Sequence, residues 1–255
     1  MSFQTSKTSL LQNPGNDDDE ALVLWLPMDY GDGQDFSGQC NNATIGANVS
    51  QYRGYVPFMT RNQLPPRALT FGTTGGLTCG PVPGNAFQVF TMMSWVQFAS
   101  LTANNNDIFS SSAASGPLFR TTTASLLQLE QKGTASIATS TGTLVTNRWF
   151  HVAVSYGTGG AWVFYINGAR DSSGTNNVTF VSGNVLVGDV MATNGQLTGM
   201  RYYNRVLTPG EVRDIYSREL QGVMDDEMPL TLGGDMSNVG MTQIFVLRQP
   251  GFRWG

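Results

Sequence analysis

Charge is what this sequence has least of. Asp, Glu, Lys and Arg make up 13% of its 255 residues, about half the share of an ordinary globular chain. Disorder is excluded, because it combines high charge with few aromatics and this chain carries 14 Phe, 8 Tyr and 5 Trp. Basic charge is scarcer still: Lys7 and Lys132 are the only lysines, and the formal net charge is -4. Nucleic-acid binding through a basic surface is excluded on that ground. Two cysteines, Cys40 and Cys79, are too few to frame a disulfide scaffold, and the wide spacing favours two reduced thiols over a bridge. No heptads are sustained, which excludes a coiled coil. No run of about 18 apolar residues exists for a membrane span, and the opening MSFQTSKTSLLQNPGN lacks the apolar stretch of a signal peptide. The expectation is a chain that works inside the cell or leaves by another route, such as release within an assembled particle.

What is abundant is glycine, 30 residues, set between short apolar segments. Residues 1–20 are polar and end in Asp17-Asp18-Asp19-Glu20, whose mutual repulsion marks an exposed arm. Ala21 to Leu26 then reads as a buried strand ended by Pro27. Thr91–Phe98, Arg148–Tyr156 and Ala161–Ile166 read as further strands. The last two are joined by the hairpin loop Gly157-Thr158-Gly159-Gly160, and Asn167-Gly168 closes the third. Within Ala161–Ile166 both faces are apolar, Val163 and Tyr165 on one and Trp162, Phe164 and Ile166 on the other, as in a sheet covered on both sides. Many short strands with regular turns predict an all-β sandwich. One short helix is predicted at Thr208-Pro209-Gly210-Glu211, where Thr208 caps, Pro209 takes the first helical position and Glu211 completes a capping box. Residues 221–255 read as a C-terminal tail, with acids at 225–227, the strand-like run Ile244-Phe245-Val246-Leu247 and the closing aromatics Phe252 and Trp254.

An ordered set of these segments resembles the laminin-G-like branch of the concanavalin A-like lectin/glucanase superfamily. Leu22–Asp29 with Asp35-Phe36-Ser37-Gly38, Arg67–Gly72, and Phe90–Val96 with its Trp95 are similar to the family's early strands. Trp149-Phe150-His151-Val152-Ala153-Val154-Ser155-Tyr156 followed by Tyr165-Ile166-Asn167-Gly168 is the most specific match, and Gly195 to Thr208 closes the domain. The resemblance covers residues 21–220 and implies a jelly-roll of two antiparallel sheets; residues 1–20 and 221–255, read above as arms, lie before and after it. It also implies a structural, core role for His151. Thr198 and Gly199 stand where the family commonly has two aspartates, which weakens any calcium role carried over from that pair.

The candidate sites are sparse. Glycosidases need two carboxylates flanking the scissile bond, and in the sequence Glu130 and Asp189 each stand alone, so catalysis is disfavoured and no catalytic residue is assigned. Asp29, Asp32 and Asp35 form an oxygen-rich turn that could take calcium, although Asp and Gly are also ordinary turn residues. Tyr52, Tyr55, Asn105 and Asp107 are candidate glycan-binding residues on a sandwich rim. Ile244, Phe245, Val246, Phe252 and Trp254 are candidate docking residues, since a β-prone tail can add a strand to a neighbour and aromatics can anchor in its pockets. The expectation is a non-enzymatic structural and binding protein, a bacteriophage decoration, fibre or tail component at the virion surface, held to other protein subunits by its arms. A carbohydrate-binding adhesion module is the alternative. Expected partners are protein subunits and glycans, with no nucleic acid, no membrane span and no cofactor other than calcium.

Overall fold

A computed structural model describes residues 20–28, 33–52, 68–81, 88–101, 106–191 and 195–221. All of these fall in one compact unit, residues 1–223. In chain order they form β1 (Leu22–Leu26), β2 (Thr44–Ile45), β3 (Val49–Tyr52), β4 (Ala68–Phe71), β5 (Leu77–Pro81), β6 (Phe90–Phe98), β7 (Asn106–Ser111) and β8 (Pro117–Thr121). There follow β9 (Leu126–Gln131), β10 (Ala135–Thr143), β11 (Phe150–Tyr156), β12 (Ala161–Ile166), β13 (Ala169–Thr175), β14 (Asn184–Val187), β15 (Gly195–Tyr203) and the helix α1 (Pro209–Gln221). One sheet runs β13-β12-β11-β6-β15-β4-β3, with β1 also pairing to β15; the other runs β10-β9-β8-β7-β14-β5-β2. Every pairing is antiparallel, so the fold is the expected jelly-roll sandwich.

The period of two along each strand decides what each face buries. In β6, Phe90, Met92, Val96 and Phe98 point between the sheets, as do Phe150, Val152, Val154 and Tyr156 of β11. They meet Phe109, Phe119, Leu127 and Leu129 from the facing sheet. Burying each large side chain contributes roughly 1.5–3 kcal/mol. The intervening residues Met93, Ala153 and Tyr165 form a second apolar layer with Leu207, Val212 and Ile215 of the α1 region. The both-sided apolar pattern of β12 thus has its cause: Trp162, Phe164 and Ile166 face the facing sheet, and Tyr165 and Val163 face α1's layer.

Turn chemistry agrees with the sequence at two points. Asn167 and Gly168 take φ of 51° and 73°, the paired left-handed conformation of a two-residue hairpin between β12 and β13. The amide of Glu211 donates to Thr208 Oγ1 at 3.2 Å and the amide of Thr208 donates to Glu211 Oε2 at 2.7 Å, the reciprocal capping box.

One irregularity places a buried charged side chain. The pairing of β15 with β6 shifts between Thr198 and Arg201, at Gly199 with φ 60°. Strict alternation from the inward Leu197 would send Arg201 into the inter-sheet core. The extra residue of the bulge lets Met200 and Tyr202 point inward instead, and Arg201 turns to the α1 side.

Candidate functional site

The outward face of the seven-stranded sheet gathers charge from four strands. Phe109, Phe119 and Leu129 are cross-strand neighbours that point into the core, so Arg120, Gln128 and Glu130, which alternate with Phe119 and Leu129, point out; Asp107 shares the parity of Phe109 and joins them through a register shift of the β7–β8 pairing between Asp107 and Phe109. Asp107 lies opposite Arg120, and Arg120 opposite Gln128. Arg120 Nε donates to Gln128 Oε1 at 3.0 Å, and its guanidinium pairs with Glu130. Lys132 Nζ donates to the carbonyl of Ser111 at 2.9 Å and lies 3.9 Å from the Asp189 carboxylate. Asp189 comes alongside because β14, far on in the chain, pairs with β7, and the Asp107 amide donates to the Val190 carbonyl at 2.8 Å.

Asp107 is the unusual member. It is 6% exposed, and its carboxyl takes no hydrogen bond from any described residue. Burial pushes it up to about 7. Arg120 and Lys132 pull it down, while Asp189 and Glu130 add to the rise. The cations face Glu130 and Asp189, so the carboxyl left over can accept hydrogen bonds from something that arrives on this face. Sequence reading missed Arg120, Gln128 and Lys132, and it treated Glu130 and Asp189 as isolated. The signal was faint: four charged residues in a charge-poor chain, each on or beside a strand-like run.

The other candidate residues are more scattered. Tyr52 lies in β3 of the opposite sheet, where its hydroxyl reaches Gln97 Oε1 at 3.3 Å and its ring meets Trp149 edge-on at 6.1 Å. The structure therefore does not bring Tyr52 together with Asp107, and Tyr55 and Asn105 lie outside the described residues. Asp29 and Asp32 also lie outside them. Asp35 is buried, and its carboxylate accepts from the amides of Trp25 and Ser37 at 2.9 Å, from the Asn41 amide at 2.8 Å and from the Ser37 hydroxyl at 2.8 Å. Those donors occupy both oxygens, the arrangement of a turn clasp. Among the described residues no three His, Cys, Asp or Glu side chains gather as metal ligands. Ile244, Phe245, Val246, Phe252 and Trp254 lie outside the described residues. Cys40 and Cys79 are both free thiols, and burial, with Asp35 adding, pushes the Cys79 thiol up to about 12.

His151 does sit in the core, as the resemblance implied, but it is not satisfied by hydrogen bonds. Among the described residues neither ring nitrogen has a hydrogen-bond partner, and Nε2 lies 3.9 Å from the Glu219 carboxylate. Burial pushes it down to about 4; Glu219 opposes the shift and Arg201 adds to it. Trp95 packs against it edge-on at 5.4 Å and Tyr216 at 5.7 Å. Glu219, from the last turns of α1, accepts from Trp95 Nε1 at 2.6 Å and pairs with Arg201, which lies over Trp25 at 5.1 Å. This cluster locks α1 onto the sheet. Thr198, in the position of one of the family's aspartates, donates to the Pro27 carbonyl at 3.0 Å.

Comparison with solved structures agrees with this architecture. The binding domain of Paraclostridial Mosquitocidal Protein 1 aligns with a TM-score of 0.61 at 17% identity, over 77% of this chain and 52% of that one. The receptor-binding domain of botulinum neurotoxin type G aligns at 0.59 and 16% identity, over 77% and 51%. Trypanosoma rangeli sialidase in complex with sialic acid aligns at 0.57 and 17% identity, over 80% and 33%. This chain thus spans about half of the two toxin binding domains and a third of the sialidase, and at these identities the likeness is one of fold. A search of curated protein sequences found no match. Among the described residues no helix is long and apolar enough to cross a membrane. Residues 71–213 match the Laminin_G_3 family, and the chain belongs to the concanavalin A-like lectin/glucanases superfamily.

Proposed function

We propose that this protein is a non-enzymatic, lectin-like binding module that recognises a glycan on the outward face of its seven-stranded sheet. The observation that carries the reading is the buried carboxyl of Asp107, which takes no hydrogen bond from the described residues, set among Arg120, Gln128, Glu130, Lys132 and Asp189. A sugar ring presents several hydroxyls at fixed spacing, which suits a face of alternating donors and acceptors. The aligned toxin domains are a binding domain and a receptor-binding domain, which supports recognition over turnover as the role of this fold here. Glu130, the strongest catalytic candidate by position, is held by the Arg120 guanidinium. The test is a glycan array probed with the full chain, alongside polysaccharide turnover by the native protein and Glu130→Gln. Reproducible binding without turnover is expected; turnover abolished by Glu130→Gln would replace the reading with a glycoside hydrolase.

The finer placement, a bacteriophage virion component docked through its tail, rests on residues 221–255, nearly all outside the described set. Deleting residues 222–255 is expected to abolish incorporation into particles while leaving glycan binding intact. Undiminished incorporation removes the docking role.

A further inference from the structure

The charge pairing on the candidate face narrows the ligand. Three carboxylates, Asp107, Glu130 and Asp189, stand there with two cations, Arg120 and Lys132. Arg120 is engaged by Glu130 and Gln128, and Lys132 by Asp189 and the Ser111 carbonyl. A carboxylated sugar would have to draw Arg120 away from Glu130, leaving that half-buried carboxylate exposed to a second negative charge. Above pH 7 it would also meet the ionised Asp107, which is 6% exposed and shielded little by water. A hydroxyl donor meets no such cost and supplies the hydrogen bond that Asp107 lacks.

Building on the glycan-binding reading above, we infer that this face takes uncharged sugars whose hydroxyls donate to Asp107, and that it rejects sugars bearing a carboxylate.

Neutral oligosaccharides, their uronate analogues and their sialylated analogues are compared for binding to the full chain and to Asp107→Asn. Neutral sugars are expected to bind at least tenfold more tightly than their carboxylated counterparts, and Asp107→Asn to weaken neutral binding tenfold or more. Melting of the variant is followed in parallel, and a pH series on the native protein gives a readout that needs no substitution. Only the ionised carboxylate accepts fully, so affinity rises with pH through about 7, among the fixed charges of Arg120, Lys132, Glu130 and Asp189. Preference for uronates or sialosides overturns the inference and leaves glycan recognition standing. So does unchanged binding by Asp107→Asn, or affinity that falls as pH rises through 7. Absence of binding in every sugar class overturns the glycan reading itself.

Discussion

Replacing Glu219 by alanine is expected to destabilise the fold by about 3–5 kcal/mol, the usual cost of breaking a buried ion pair by removing one partner. Arg201 is 2% exposed, so the substitution takes away a carboxylate that faces a buried guanidinium. It also strips the acceptor from Trp95 Nε1. For a domain of this size the melting temperature should fall by on the order of 10 °C. The contrast is Glu211→Ala, which removes an ion pair of the same residue types on the same helix, Arg205 with Glu211 at 2.7 Å. Those side chains are 37% and 38% exposed, so screening leaves that pair worth under about 1 kcal/mol, with the lost cap adding about as much. The double substitution Arg201→Met with Glu219→Leu should recover most of the loss, since apolar replacement of a whole buried pair is often neutral. Equal melting shifts for Glu219→Ala and Glu211→Ala would show that burial does not govern the pair.

Glu219 also marks where sequence reading stopped. The strands were legible because apolar residues at alternating positions reveal a two-faced layer, and β6, β11 and β12 fall where that pattern put them. The capping box was legible because its residues are three apart and bond one another. Arg201 was not, because strict alternation gives it the wrong face until the bulge at Gly199 is known. The charged face was hidden for a related reason. Asp107, Arg120, Glu130 and Asp189 become neighbours only through the strand order β9-β8-β7-β14, whose last step joins segments about eighty residues apart. In the sequence each acid stands alone, and scarcity of charge looked like absence of a site. The structure shows instead that part of the small charge complement is concentrated on one sheet face.

Between pH 4.5 and 6.5 the native protein should change little in stability, because two buried groups act in opposite directions. His151 is held near 4 when folded and returns to about 6.5 when unfolded. Between those values the unfolded chain takes up a proton that the native one refuses, so stability falls as pH falls. Asp107 is held near 7 when folded against 3.8 when unfolded, so between those values the native chain keeps a proton that the unfolded one has released. Its contribution is lost as pH rises. At about 1.4 kcal/mol per pH unit, each amounts to about 2–3 kcal/mol across this window. Glu211 and Asp171, both held below the usual carboxylate range, lose their contributions only at lower pH. The variants separate the two effects. Asp107→Asn should lose stability on acidification, and His151→Phe, which sacrifices no hydrogen bond, should gain it. Denaturant titrations at pH 4.5, 5.5 and 6.5 check this, and parallel curves for the two variants would refute it. The same tilt connects stability to ligand. Above pH 7 the native fold carries the cost of an ionised, unbonded Asp107, so a sugar whose hydroxyls satisfy that carboxylate should raise the melting temperature more at pH 8 than at pH 6.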